Sequence, residues 1–271
     1  MHDRVFALSP LTAIELTPPQ LVDAASQAGF DATSLRLSPF RAGEHQHPMF
    51  GSSAMLRETE ARLRDTGLKV LGIEVILLTA ERDLDDFVKV FETAQRLGAR
   101  HALTLIDIAD ASLAADRFGA LCRLAAVYDV HCSLEFAAWL GIGTVQAAAQ
   151  VVRQAGNPGN AGLLLDPFHL YRSGGTAADL AVLDPAWFRY AQFCDAAAIA
   201  PATQAGISEE ARFDRLLPGE GGLPLAAFLA ALPQHIPLEL EVPNRTLAAN
   251  RNVVERLRLT LQAAKEVVNA S

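Results

Sequence analysis

Lysine is scarce in this sequence of 271 residues: only Lys69, Lys89 and Lys265 occur, at a predicted strand start and on predicted helices. A Schiff-base aldolase would therefore lack its nucleophile at the mouth of a barrel. Cysteine is equally sparse, and Cys122, Cys132 and Cys194 are too scattered, in too apolar a setting, for a disulfide framework or a zinc ribbon. No G-x-G-x-x-G follows the first predicted strand, and neither a G-x-S-x-G elbow nor a P-loop is present. The opening MHDRVFALSP has no long apolar stretch and no cleavage signature, so a cytoplasmic protein without a membrane partner is expected. Basic residues fall short of acidic ones, 23 against 31, for a net charge of −8. That balance argues against nucleic acid, which needs a basic face for counterion release. A small molecule is the expected partner.

With 51% of residues apolar, the chain can bury a sizeable core. No low-complexity tract or polar linker divides residues 1–271, which predicts a single domain. Short β-like runs alternate with amphipathic stretches: Val5–Leu8, Thr33–Leu37, Val70–Leu77, Ala102–Ile106, His131–Phe136, Gly162–Leu165, Phe188–Phe193 and Ile236–Val242. Thr17 before Pro18 reads as a helix N-cap, while Leu84, Phe87, Val88, Phe91 and Ala94 recur at helical spacing. So do Val254, Leu257, Leu261 and Ala264 in the last helix. Eight βα units in about 250 residues predict an α/β fold of the closed (β/α)8, or TIM-barrel, type.

Barrel strands should be apolar, so polar residues at their C-terminal ends call for a reason. Four consecutive strands carry them: HCSLEF with Glu135, GLLLD with Asp166, FRYAQFCD with Gln192 and IPLELEVP with Glu241. Alternation turns Leu238, Leu240 and Val242 toward the helices and Glu239 and Glu241 inward. Glu239 lies a layer deeper than Glu241, as a supporting hydrogen-bond partner or an alternative ligand. Three carboxylates and an amide oxygen in one barrel mouth would repel unless a cation held them. A divalent metal on Glu135, Asp166, Gln192 and Glu241 answers that problem. All-oxygen donors suit Mn²⁺ or Mg²⁺ best, with Co²⁺ or Zn²⁺ as alternatives.

The segments LEF at Glu135, D-x-x-H from Asp166 to His169, QFCD from Gln192 to Asp195, RLLPGEG from Arg215 to Gly221 and LEVPN ending at Asn244 resemble the sugar isomerase/epimerase superfamily of xylose-isomerase-like TIM barrels. The similarity spans nearly the whole chain. It implies the same four ligands, although Gln192 stands where histidine is commoner in the family. Dehydroshikimate dehydratases of the superfamily also have glutamine there, which keeps a lyase in play. The repair-nuclease branch is set aside, because its metal cluster needs more histidines at strand ends and a basic face.

The first expectation is thus a metal-dependent isomerase or epimerase of a carbohydrate or polyol ketone, working through an enediolate with Glu135 and Glu241 as acid and base. The alternative is a metal-dependent dehydratase of the 3-dehydroshikimate or inosose type, with His169 as base. A non-catalytic sugar-binding barrel is the third. Arg36, Arg172 and Arg215 are candidates for substrate contact, with Glu74 as a partner for Arg36. Phe40, Trp139 and Phe168 are candidate apolar walls, and the resemblance admits a homo-oligomer.

Overall fold

A computed structural model describes residues 4–40 and 43–271. Its eight strands are β1 (Phe6–Leu8), β2 (Ala32–Arg36), β3 (Lys69–Leu78), β4 (His101–Ile106), β5 (His131–Leu134), β6 (Ala161–Leu163), β7 (Ala191–Phe193) and β8 (Leu238–Leu240). All the pairings are parallel, in the order β6-β5-β4-β3-β2-β1-β8-β7. The sheet curls until Leu165 just beyond β6 meets Ala191, where Gln192 N–H donates to Leu165 O at 2.9 Å. This is the expected TIM barrel.

Each predicted strand is present, several of them shorter. Ile236–Val242, for example, contracts to Leu238–Leu240: Pro237 has no amide hydrogen to donate to a ladder, and the Val242 N–H donates to Thr12 Oγ1 at 2.9 Å. The helix Pro18–Ala28 begins at Thr17, whose backbone N–H donates to Gln20 Oε1 at 3.0 Å, and ends at Gly29 with φ +92°. The Leu84–Ala94 stripe divides into a 3-10 turn (Leu84–Phe87) and an α-helix (Val88–Leu97). The last helix, Val253–Ala270, buries Leu257, Leu261 and Ala264. Among the described residues no helix is long and apolar enough to cross a membrane.

Two apolar cores result. The larger lies between barrel and helices and includes Leu238, Leu240 and Val242. The smaller fills the barrel itself with Val75, Leu103, Leu105, Leu164 and Tyr190. This inner plug closes the barrel below, so every polar side chain above it is confined to the C-terminal mouth, where βα loops can reach it.

Candidate active site

The four polar residues at strand ends are drawn together as alternation requires, and all are buried. Glu135 follows β5 and Glu241 follows β8. Gln192 sits within β7, in register with Glu239. Asp166 is the N-cap of a short helix (Pro167–Arg172), its Oδ1 accepting from Phe168 N–H at 2.7 Å. Proline at the next position suits that first turn.

A hydrogen-bonded chain links these groups. Gln192 Nε2 donates to Glu241 Oε1 at 2.9 Å and to Glu239 Oε2 at 3.1 Å. Because both partners are carboxylates, the amide nitrogen must face them, which turns its oxygen the other way. Glu239 also accepts from Ser34 Oγ, so it is a supporting partner one layer down. Ser9 Oγ lies 3.0 Å from Glu241 Oε1 and 3.2 Å from Glu74 Oε1. Arg215 closes the chain, bonding Asp166 through Nη1 and Glu241 Oε2 through Nη2 at 2.8 Å.

Burial and mutual repulsion set the charges. Desolvation, then Glu241 and Asp166, pushes Glu135 well above the usual carboxylate range. Glu74 is raised well above it by burial and by Glu239 and Glu241. Burial carries Glu239 up to about 7. Glu241 is raised too, chiefly by burial against the pull of Arg215. Asp166 alone goes the other way: burial raises it, but Arg215, His169 and the Phe168 N–H together hold it low. The Arg215 guanidinium is buried between these acids, which fix it in its charged form. One arginine facing five buried acids leaves a large deficit of positive charge.

His169, on the Asp166 helix, points Nε2 into the cup, 3.9 Å from both Glu135 Oε1 and Asp166 Oδ2 and 3.4 Å from Arg215 Nη2. Arginine can only donate, so Nε2 carries a lone pair in this arrangement. Burial lowers the imidazole pKa to about 4, which keeps it neutral near pH 7. Its ring meets Trp139 edge-on at 5.4 Å.

The three candidate arginines part company. Arg215 is central. Arg36 reaches the mouth but pairs through Nη2 with Glu44 Oε2 at 3.1 Å, not with Glu74. Arg172 is drawn aside: Nε and Nη2 bind the two oxygens of Glu210 at 2.8 and 2.7 Å, and Nη2 also donates to Ala197 O. It braces the loop after β7 and does not line the cavity. Phe168 packs beneath the guanidiniums of Arg215 and Arg172, whereas Phe40 and Trp139 do wall the cavity.

Sequence reasoning missed Ser9 and the carboxylate roles of Glu74 and Asp195. Ser9 lay one residue past the first strand, in phase with Ala7, and alternation there would have found it. Asp195 explains the RLLPGEGG run by accepting from the N–H groups of Gly219, Gly221 and Leu223 at 3.0 to 3.1 Å. A Cβ at Gly221 would lie 2.2 Å from Ala196 O and 2.4 Å from Asp195 Oδ1, so only glycine fits.

The cavity above this network has a volume of about 520 Å³ and is lined by Glu74, Glu135, His169, Arg215 and Glu241 at its floor. Single donor atoms of Glu135, Asp166 and His169 lie within 4.8 Å of one another, a spacing that can hold a metal ion. Two buried oxygens, Glu135 Oε1 and Gln192 Oε1, have no hydrogen-bond partner among the described residues. Orphaned buried acceptors are costly, and a cation is what such a set accommodates. The residues therefore fit a divalent ion.

A closed barrel with acids and a histidine at its C-terminal mouth defines an enzyme-like TIM barrel. Residues 22–264 match the model of the family described as xylose isomerase-like TIM barrel, and the chain belongs to that family. It is 28% identical over 269 residues to a 3-dehydroshikimate dehydratase of Pseudomonas aeruginosa and 25% identical over 269 residues to one of Pseudomonas putida. Each match covers 90% of this chain but only 39% of the relative, so the chain spans about two fifths of the length of these curated relatives. Among solved structures it resembles the IOLI protein with a bound zinc atom, with a TM-score of 0.78 at 20% identity and 98% of each chain covered.

Proposed function

We propose that this protein is a divalent-metal-dependent lyase that dehydrates a cyclic hydroxyketone of the 3-dehydroshikimate type. One observation carries the reading: a neutral buried imidazole opens onto a cup of carboxylate and amide oxygens, two of them unpartnered, in a chain whose two curated relatives bear the name of that dehydratase. The isomerase expected first from the sequence would share the initial proton removal, but the relatives weigh for elimination.

In this reading Glu135, Asp166, Gln192 and Glu241 would hold the ion, and Mn²⁺ or Mg²⁺ would suit their oxygen donors. Bound there, the ion would supply Lewis acidity to the ketone and its neighbouring hydroxyl, acidifying the C–H next to the carbonyl. His169 Nε2 takes that proton, and its low pKa keeps the lone pair available near neutrality. The β C–O bond then breaks, and His169 returns its proton to the departing hydroxyl, which leaves as water. The remaining ring dienone becomes aromatic by tautomerisation. Arg215 steadies the enolate charge while holding Asp166 and Glu241 in place, and Trp139 orients the imidazole edge-on. Glu135 and Glu241 serve as ligand carboxylates here, in place of the proton-shuttling pair of the isomerase reading.

Purified protein given Mn²⁺ and 3-dehydroshikimate is expected to yield 3,4-dihydroxybenzoate, followed by its ultraviolet absorbance. Turnover should fall to background with excess chelator and return when Mn²⁺ is restored. Absence of aromatic product, together with solvent deuterium entering a keto sugar without loss of water, would return the assignment to an isomerase.

A further inference from the structure

We infer that Arg36 is the anchor for the carboxylate of an acidic ring substrate, and that Glu44 is an internal carboxylate that occupies this anchor when no substrate is bound. The inference rests on the dehydratase reading for the substrate's chemistry, since a ring acid of the 3-dehydroshikimate type presents a carboxylate across the ring from its reacting carbons. Such a group needs a cation at the cavity wall, away from the cup, where the negative charge is already in excess.

Arg36 is so placed. Ser34, two residues earlier on β2, turns into the barrel to meet Glu239. By the two-residue period Arg36 faces the same side, one layer nearer the mouth, and it lines the cavity. In the sheet it is paired with Glu74, a residue of the cavity floor. Its side chain is 18% exposed, enough to meet a ligand yet sheltered enough for a charge-assisted hydrogen bond to matter.

The other cavity arginines are committed differently. Arg215 is buried between Asp166 and Glu241. Arg256 pairs with Glu15, Arg245 with Glu209 and Asp214, and the Arg212 guanidinium lies over the Phe213 ring, 4.9 Å from its centroid. Arg36 instead holds a single, 30% exposed carboxylate, that of Glu44, at 3.1 Å. The same Glu44 oxygen accepts from Phe40 N–H at 2.9 Å, so it retains a backbone partner if the guanidinium turns to another acid. The guanidinium thus keeps one carboxylate partner whether or not substrate is bound.

A purely structural ion pair makes a different forecast. Losing either partner would then have similar effects on stability and on every ligand. An anchor with an internal competitor gives effects of opposite sign on acidic ligands alone.

The test measures dissociation constants of the Mn²⁺-loaded full chain for 3,4-dihydroxybenzoate and for catechol, which lacks the carboxylate, in wild type, Arg36→Gln and Glu44→Gln. Arg36→Gln is expected to weaken the acid about 10- to 100-fold, the usual range for a lost charge-assisted bond, and to leave catechol within about 2-fold. Glu44→Gln should tighten the acid. Equal losses for acid and catechol in Arg36→Gln, or an acid affinity in Glu44→Gln no tighter than in wild type, would overturn the inference. Turnover of 3-dehydroshikimate by wild type alongside such a result would leave the dehydratase reading standing. Failure of wild type to bind either compound or to turn over would sink both. Should Arg36→Gln fold poorly, Arg36→Met offers the same comparison, because it keeps an apolar stem of similar length and removes the charge.

Discussion

Glu135→Gln is expected to lower turnover of 3-dehydroshikimate by at least about 10³-fold while leaving the barrel folded. The substitution keeps the shape of the side chain and removes one anionic oxygen from the cup. That oxygen, Oε1, is buried and partnerless, so no intramolecular hydrogen bond is lost with it. Desolvation and the neighbouring Glu241 and Asp166 make the Glu135 charge costly in the protein alone, so neutralising it should hold or raise metal-free stability. Activity moves the opposite way: a bound ion contributes several kcal/mol of charge stabilisation, and about 4 kcal/mol corresponds to ~10³ in rate. Steady-state rates with saturating Mn²⁺, beside thermal melts without it, check both halves. A variant that kept a tenth or more of wild-type turnover would remove Glu135 from the ligand set.

Arg215→Leu carries the second large effect, and here stability is the readout. Its guanidinium is the positive charge bound directly to Asp166 and Glu241, at 1% exposure. Removing one member of a buried ion pair typically costs about 3–5 kcal/mol, because the partners are left charged and dry. At roughly 2–4 °C per kcal/mol for a chain near this size, the metal-free melting temperature should fall by about 10 °C. Mn²⁺ should restore part of that loss, since an ion in the cup would neutralise the same carboxylates. An unchanged metal-free melting temperature would mean that Asp166 and Glu241 are compensated by something other than Arg215.

The barrel was legible because its signals are local. β8 alternates strictly, which puts Leu238 and Leu240 on the helix side and Glu239 and Glu241 inside, and the structure agrees. The acids at successive strand ends were visible for the same reason, since parallel strands in register bring their C-terminal ends to one level. Their roles as ligands remain a proposal. What stayed hidden depends on loops that meet across the sequence. Arg172 and Glu210 are 38 residues apart, and nothing near either marks their pairing, so Arg172 looked like a rim residue when it braces a loop. Arg36 was expected to find Glu74, its neighbour in the sheet, but Glu44 from the following loop takes it instead. A side chain reaching along its own strand end meets the loop above before the strand beside it.

Oxygens of like charge gathered at one barrel mouth require a cation. The structure supplies one in Arg215, and still leaves Glu135 Oε1 and Gln192 Oε1 unpartnered and several acids pushed toward their neutral forms. A guanidinium alone therefore does not balance the cup.

Calorimetric titration of the metal-free full chain with Mn²⁺ puts that claim to its most direct test. Saturation at one ion per chain is expected, with binding abolished or weakened at least ~10²-fold in both Glu135→Gln and Glu241→Gln. Wild-type protein that takes up no ion, or variants that bind as tightly as wild type, would contradict it.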